Sequence, residues 1–455
     1  MAFPDHIFKA YDIRGLVDGE LTRELAYNLG RAFVVFLREK SVKFESKKIV
    51  VGRDMRETSI IFQKEVIRGI QDEGLNVVDV GLVSTPLFNF ACAHYDEHVG
   101  GIMVTASHNP AEYNGFKLTM GDGLPVGKNT GMDRMRELVQ TGVFGENDIA
   151  GDVEQKDIFE DYKKKIFSIV SRDVIKPFKI VVDAGNGMAK VSLPKILKEL
   201  PVKVEYLYLE PDGTFPNHEA NPLKEETLRD LQKKVLENKA DFGFALDGDA
   251  DRVGLVDEKG QVVPASFVGG LVGLEILRQK PKSYMLYDLR ISRAVVDMWE
   301  QAGAMTEMSM VGHANIKAMM KKTKAEFAAE LSLHLYYRDM YDVECSDLSL
   351  LYILKILSKS NKSLSELWQE MNTRFHSGEI NFEVEDKVGV LEKLKDKYSD
   401  AEINYLDGLL FTYEDYWFSA RASNTEPVLR LNLEAKTKEI MEEKVGEVNK
   451  IIKEK

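Results

Sequence analysis

Residues 241–257 read DFGFALDGDADRVGLVD. Two short apolar runs, FGFAL and VGLVD, have the look of buried strands, and between them Asp247, Asp249 and Asp251 stand at alternate positions. Where a strand opens into a loop such carboxylates can converge, and three hard oxygen ligands suit Mg²⁺ or Ca²⁺. Taken alone, the motif also reads as a solvated acidic turn. A calcium-binding EF-hand is the competing functional reading, since the three Asp match loop positions 1, 3 and 5 and Glu258 falls at position 12. It fails because Arg252 stands where that loop needs glycine and because the flanks are strand-like rather than helical. A metal held by few protein groups, with coordination left for phosphate oxygens, fits better.

Working outward, the same alternation of short β-branched runs and longer amphipathic stretches recurs. KKIVVGRD (47–54), NVVDVGLV (76–83) and GGIMVTASHNP (100–110) follow the helical pattern of residues 21–40, and FKIVVDAGNG (178–187), VKVEYLYLE (202–210) and KSYMLYDLR (282–290) continue the series. This is α/β patterning. Polar interruptions at GENDIAGDVEQKD, DEKGQ and SKSNKSLSE place domain boundaries near 150, 257 and 365, giving segments 1–150, 151–257, 258–365 and 366–455. The last segment differs: NFEVED, a helical stretch, the hairpin-like DGLLFTYEDYWFSARAS, the strand VLRLNLEA and a charged terminal helix read as α+β. Four domains agree with a chain of 455 residues at roughly 100–200 residues per domain.

The net charge of −13 argues against nonspecific binding to nucleic acid or to an anionic membrane. An anionic small substrate would have to be drawn by a few Arg and Lys converging on one cleft. Cys92 and Cys345 have no partners at metal-binding spacing and read as buried free thiols. The stretch MAFPDHIFKAYDIRG lacks an apolar signal core, and no run of 18 apolar residues occurs, so a cytoplasmic protein is expected, with no obligate protein partner evident.

Two further motifs carry chemistry. GGIMVTASHNP leaves Ser107 on a turn closed by Pro110, where a serine can point into a cleft; it lacks the G-x-S-x-G of a hydrolase elbow, and a turn serine with a locally satisfied His108 is the plainer alternative. RASNTEP (421–427) offers Arg421, Ser423, Asn424 and Thr425 in a polar turn between strands, which looks like a phosphate cradle and alone would pass for a surface turn.

Read in order, FKAYDIRG, VGRD, VTASHNPAEYNGFK, TFPNHEANP, DGDADRVG, VGHANIK and RASNTEPVLRL resemble the α-D-phosphohexomutase superfamily, most closely its bacterial phosphomannomutase/phosphoglucomutase branch. The resemblance runs nearly end to end. It implies three α/β domains with mixed sheets plus a C-terminal α+β domain, arranged around a central cleft that receives one loop from each. It further implies that Ser107 is phosphorylated and ligates Mg²⁺ together with Asp247, Asp249 and Asp251, with Arg252 beside them. Tyr11, Arg14 and Lys117 match cleft residues near the transferring phosphate, Lys117 and Arg14 as proton-transfer and charge-stabilising groups. His313 matches a second proton-transfer group, and Arg290 stands in place of a substrate-contacting lysine. The implied reaction interconverts hexose 1-phosphate and hexose 6-phosphate through a 1,6-bisphosphate, with glucose or mannose 1,6-bisphosphate as activator. Glu330 and Ser332 would read sugar hydroxyls O3 and O4, and Arg421, Ser423, Asn424 and Thr425 would hold the phosphate not being transferred.

The sugar loop departs from the family form G-E-x-S-G-H, reading Ala329, Glu330, Leu331, Ser332, Leu333, His334. If Leu333 takes a positive φ, roughly 1–2 kcal/mol of strain is expected. Two alternatives follow: phosphoglucosamine mutase chemistry, or a catalytically impaired sugar-phosphate-binding homologue.

Overall fold

The computed structural model describes residues 3–40, 46–145, 149–422 and 428–453. In the first domain β1 (Ile13–Leu16), β2 (Lys48–Arg53), β3 (Asn76–Leu82), β4 (His98–Val104), β5 (Tyr113–Met120) and β6 (Val153–Gln155) form a sheet in the order β1-β5-β4-β2-β3-β6. The β4-β2-β3-β6 pairs are parallel, and β5 and β1 add antiparallel strands at one edge, so the sheet is mixed. Side-chain alternation sends Ile49 and Val51 into the core beneath α1 (Arg23–Glu39) and α2 (Ser59–Asp72), and Val50 into the opposite core with α3 (Thr85–His94). Helices α1 and α2 touch backbone to backbone: a Cβ on Gly30 would lie 2.3 Å from the Val66 carbonyl, and one on Gly69 would lie 2.1 Å from that of Tyr27. Helix α4 (Met132–Thr141) completes this layer.

The second domain contains α5 (Phe159–Ile169), β7 (Phe178–Asp183), α6 (Leu193–Leu197), β8 (Val202–Leu207), α7 (Arg229–Asn238), β9 (Phe242–Leu246), β10 (Val253–Asp257) and β11 (Val262–Val263), with sheet order β11-β10-β9-β7-β8. Strands β9 and β10 are antiparallel, with Leu246 opposite Val253, so the Asp-rich segment closes a hairpin rather than linking two helices. That excludes the EF-hand arrangement.

The third domain runs through α8 (Ala265–Gln279), β12 (Tyr284–Asp288), α9 (Arg293–Gln301), β13 (Met305–Ser309), α10 (His313–Thr323), β14 (Phe327–Ala329), β15 (Leu335–Tyr337), β16 (Val343–Glu344), α11 (Ser346–Lys359) and α12 (Leu364–Met371). Its order is β13-β12-β14-β15-β16, and the antiparallel pair β14-β15, with Ala329 opposite Leu335, is closed by the sugar-loop segment. The fourth domain is an antiparallel sheet, β17 (Phe375–Glu383), β18 (Glu402–Asn404), β19 (Leu409–Thr412), β20 (Tyr416–Ala422) and β21 (Val428–Ala435), in the order β17-β21-β20-β19-β18, covered by α13 (Lys387–Lys397) and α14 (Lys438–Lys453).

One apolar core runs continuously through the first three domains, from Val50 by way of Phe244 to Met371, whereas the fourth keeps a core of its own around Phe411, Phe418 and Leu431. The first three domains are therefore packed against one another through a common interior. Both cysteines are buried thiols, and no helix among the described residues is long and apolar enough to cross a membrane.

Candidate active site

Ser107 follows β4 with φ of +52°, in the left-handed region that few non-glycine residues adopt. Its hydroxyl donates to Asp247 Oδ2 at 3.0 Å and lies 3.2 Å from His108 Nδ1, while its main-chain N–H donates to Thr105 Oγ1 at 3.0 Å. The contact between the two loops depends on Gly248, where a Cβ would sit 2.4 Å from the Ser107 carbonyl oxygen.

Asp247, Asp249 and Asp251 are buried, and one carboxylate oxygen from each lies within 4.8 Å of the others. Main-chain N–H groups of Asp251 and Arg252 donate to Asp247 Oδ1, folding the loop back on itself. Neighbouring domains fix it from outside. From the start of α3, the Thr85 hydroxyl donates to Asp249 Oδ2 at 2.5 Å and its N–H to the Asp249 carbonyl at 2.9 Å. From the start of α11, Ser346 donates to the carbonyl of Ala250 at 2.5 Å.

Lys117, on β5, places its ammonium 2.6 Å from Asp249 and 2.7 Å from Asp251. Burial opposes its charge, but the two carboxylates outweigh burial and hold Lys117 protonated. Burial and the two neighbouring carboxylates push Asp247 well above the usual carboxylate range; burial would do the same to Asp251, but Lys117 and His334 drive it well below. The donor set fits a hard divalent cation: three carboxylates converge on one point, with Asp249 Oδ1 buried and without a hydrogen-bond partner among the described residues.

Positive groups ring this cluster. Arg14 donates to Asn109 Oδ1 at 2.7 Å and also pairs with Asp12, and Arg252 stands 3.8 Å from Asp247 and 3.3 Å from His334 Nε2. Burial, together with Arg252 and Arg14, depresses His108 well below the ordinary histidine range. His334 behaves oppositely: burial disfavours its charge, yet Asp251 at 3.3 Å and Glu330 at 3.1 Å push it up to about 9.

Through His334 the cluster joins the sugar loop. Ser332 Oγ lies 2.8 Å from His334 Nδ1, and Glu330 accepts from the Gly312 N–H at 2.9 Å and from the Tyr336 hydroxyl at 2.9 Å. Leu333 does take a positive φ, +70°; its N–H donates to the Glu330 carbonyl and its own carbonyl accepts from the Val253 N–H. His313, the first residue of α10, is depressed well below the ordinary range by burial and by Lys317 and Lys117. Its ring meets Tyr11 edge-on with centroids 5.5 Å apart, and the Tyr11 hydroxyl donates to the Val311 carbonyl.

Arg290 forks onto Asp288, reaches Glu379 of β17 at 3.2 Å and stands 3.8 Å from Glu330. Arg421 of β20 lies 3.8 Å from the same Glu379, so the contacts pass unbroken from Ser107 in the first domain to Arg421 in the fourth. Ser423, Asn424 and Thr425 lie outside the described residues. Thr85, Asp12, Asn109, Ser346 and Glu379 also belong to this network although the motif reading did not single them out. An S-T-P helix start is the only sequence signal at Thr85, and it reads as a cap.

The phosphoglucomutase/phosphomannomutase family matches in four consecutive pieces: α/β/α domain I over 5–146, domain II over 159–260, domain III over 266–375 and the C-terminal domain over 379–451. A phosphomannomutase of Methanocaldococcus jannaschii is 39% identical over 450 residues, covering 98% of this chain and 97% of that protein. A phosphomannomutase/phosphoglucomutase of Pseudomonas putida is 37% identical over 443 residues, covering 95% and 92%. Among solved structures, a phosphoglucomutase/phosphomannomutase family protein of Burkholderia thailandensis superposes with a TM-score of 0.90 at 30% identity, covering 99% of this chain and 98% of that one. With every domain matched in order and relatives aligned over nearly the whole length, the chain belongs to the phosphoglucomutase/phosphomannomutase family and is a phosphohexomutase.

Proposed function

We propose that this enzyme interconverts the 1- and 6-phosphates of mannose, glucose or both, in the cytoplasm, by way of phosphorylated Ser107 and a hexose 1,6-bisphosphate. The observation that carries the reading is the 3.0 Å contact between Ser107 Oγ and the Asp247 carboxylate of a triad suited to a divalent cation. Asp247, Asp249, Asp251 and the Ser107 phosphoryl oxygens would hold Mg²⁺. When bound, Mg²⁺ offsets the negative charge of the phosphoryl group in the transition state.

The rest follows from the chain's own groups. A hydroxyl of the hexose phosphate attacks the phosphorus on Ser107; the new O–P bond forms as the Ser107 Oγ–P bond breaks. His313, kept neutral by its burial, accepts the hydroxyl proton. Lys117, held protonated between Asp249 and Asp251, offers a proton to the departing Ser107 oxygen, and Arg14 and Arg252 counter the phosphoryl charge. Glu330 and Ser332 bind sugar hydroxyls O3 and O4, which exchange places when the ring turns end over end, so one set of contacts serves both orientations. Tyr11 and Arg290 line the same wall, and Arg421 with Ser423, Asn424 and Thr425 receives the distal phosphate. Glucose or mannose 1,6-bisphosphate would restore enzyme that has lost its phosphoryl group.

Peptide mapping of the purified protein and of protein incubated with glucose 1,6-bisphosphate tests the reading. Phosphate on Ser107, with turnover of mannose 1-phosphate or glucose 1-phosphate abolished in Ser107→Ala, is the expected result. Phosphate on another residue, or full turnover in Ser107→Ala, would overturn it.

A further inference from the structure

Arg56 lies between β2 and α2 and is 3% exposed. Its guanidinium is turned into the loop that carries Ser107. One terminal nitrogen donates to the carbonyls of Pro110 at 2.7 Å and Tyr113 at 2.8 Å; the other donates to those of Asn109 at 2.5 Å and Ser107 at 3.1 Å. Four terminal N–H bonds thus meet three main-chain carbonyls of the loop and that of Tyr113, the first residue of β5, which uses the terminal donor capacity of the side chain in full.

The surroundings hold Arg56 in that position. Asp54 Oδ2 lies 3.3 Å from Arg56 Nε, and Asp54 Oδ1 accepts from the Arg56 main-chain N–H and from the Ser59 hydroxyl. On the side of the second domain, the Phe215 ring sits 5.1 Å from the guanidinium carbon, and a Cβ on Gly213 would come within 2.8 Å of the Arg56 Cα. These contacts enclose the residue, its backbone against Gly213 and its guanidinium against Phe215 and Asp54.

The loop needs such a partner. Residues between β4 and β5 have left the sheet ladder, so carbonyls directed inward must be satisfied by other means. Ser107 itself holds a left-handed φ, which persists only where the surroundings over-determine it. An ammonium cannot replace the guanidinium: it has three donors in tetrahedral array, against a planar fork that faces four acceptors at once.

We propose that Arg56 is the positioning residue of the Ser107 loop, acting through the carbonyls of Ser107, Asn109, Pro110 and Tyr113 to hold the serine hydroxyl against Asp247. The proposal rests on Ser107 being the phosphoryl carrier. Arg56 contacts the serine only through main-chain oxygens, so its replacement should lower the chemical step more than it weakens substrate binding.

The test compares wild type with Arg56→Lys, which keeps the charge, and Arg56→Gln, which keeps two donors. Steady-state kinetics with glucose 1-phosphate, thermal unfolding and amide hydrogen exchange are measured on each. Since a displacement of about 1 Å can cost on the order of a hundredfold in rate, kcat in Arg56→Lys should fall by about tenfold or more while KM stays close to wild type, and Tm should fall modestly because at least one carbonyl loses its donor. Exchange should quicken at residues 105–115 and not elsewhere in the first domain. Wild-type kcat in Arg56→Lys would overturn the proposal. So would exchange that quickens evenly across the first domain, or failure of both variants to fold, since either makes Arg56 a general structural residue. Phosphate mapped away from Ser107 in the wild type would instead remove the carrier reading, and the exchange measurement would still report whether Arg56 shapes the loop.

Discussion

Gly269 of α8 and Ala329 at the end of β14 face each other with no space for another methyl group: a Cβ on Gly269 would lie 2.6 Å from the Ala329 Cβ. The alanine that stands where the family form has glycine is therefore matched by a glycine on the helix behind it. Gly269→Ala gains up to about 1 kcal/mol of helix propensity, but overlap of two rigid Cβ atoms costs roughly 1–3 kcal/mol. Urea unfolding should show net destabilisation, and adding Ala329→Gly should recover most of it. Independent, additive effects of the two changes would contradict the pairing.

Leu333 combines a left-handed backbone with a buried side chain. Leu333→Gly relieves strain of roughly 1–2 kcal/mol but gives up about 1.5–3 kcal/mol of apolar burial, so Tm should fall slightly. If the strained loop limits catalysis, kcat/KM for glucose 1-phosphate or mannose 1-phosphate should rise. An unchanged or lower kcat/KM would mean that the hairpin works as it stands.

Asp249 accepts from Thr85 and Lys117 and keeps a second oxygen unpartnered among the described residues, which is what a metal ligand with a fixed orientation would require. Asp249→Asn should cost about a hundredfold or more in activity and raise the Mg²⁺ concentration needed for half-activation. EDTA should stop turnover of the wild type. Undiminished activity in EDTA would show that the triad holds no essential metal.

His218 lies 3.0 Å from Asp183. Burial opposes its protonation, but Asp183 outweighs burial, and the His218 pKa is raised above its ordinary value. The folded state therefore holds this proton more tightly than the unfolded chain does. The resulting stabilisation is fully present below the unfolded pKa of about 6.5 and is lost as pH rises through the higher folded value. Unfolding free energies should differ more between wild type and His218→Gln at pH 5.5 than at pH 8.5; an equal difference would assign the residue a purely steric role.

Burial raises both thiols, Cys345 up to about 12 and Cys92 further. Neither should react with a thiol-directed reagent at pH 8 in the folded protein, and both should react in guanidinium chloride. Rapid labelling of the native enzyme would show that the shared core opens.

The fold was legible because buried β-branched runs and helical periodicity alternate without ambiguity, and because the Asp-rich segment lies between two runs too short to be helices. Ser107 and the three Asp, which the fold brings together, were legible because each lies in a compact motif. The positive φ at Leu333 could be anticipated only because the family form carries a glycine there. Thr85, Ser346 and Glu379 could not be found in this way. Thr85 is indistinguishable in sequence from any helix start, and Glu379 lies in a strand of mixed polarity. Each becomes functional only through what another domain places against it. Arg290 shows a related effect: its charge was evident, but neither its fork onto Asp288 at the end of β12 nor its separate contact with Glu379 of the fourth domain could be read from the sequence.

Asp249 and Ala250 belong to the second domain, yet the hydroxyls that hold them come from Thr85 in the first and Ser346 in the third. Affinity for the ion proposed above would accordingly be a shared property: the second domain brings the charges, and its neighbours bring the shape. A mutation that loosens either seam, however distant from the carboxylates, would be registered first as a weaker grip on the ion. A metal held there would thus act as a strain gauge for the docking of three domains.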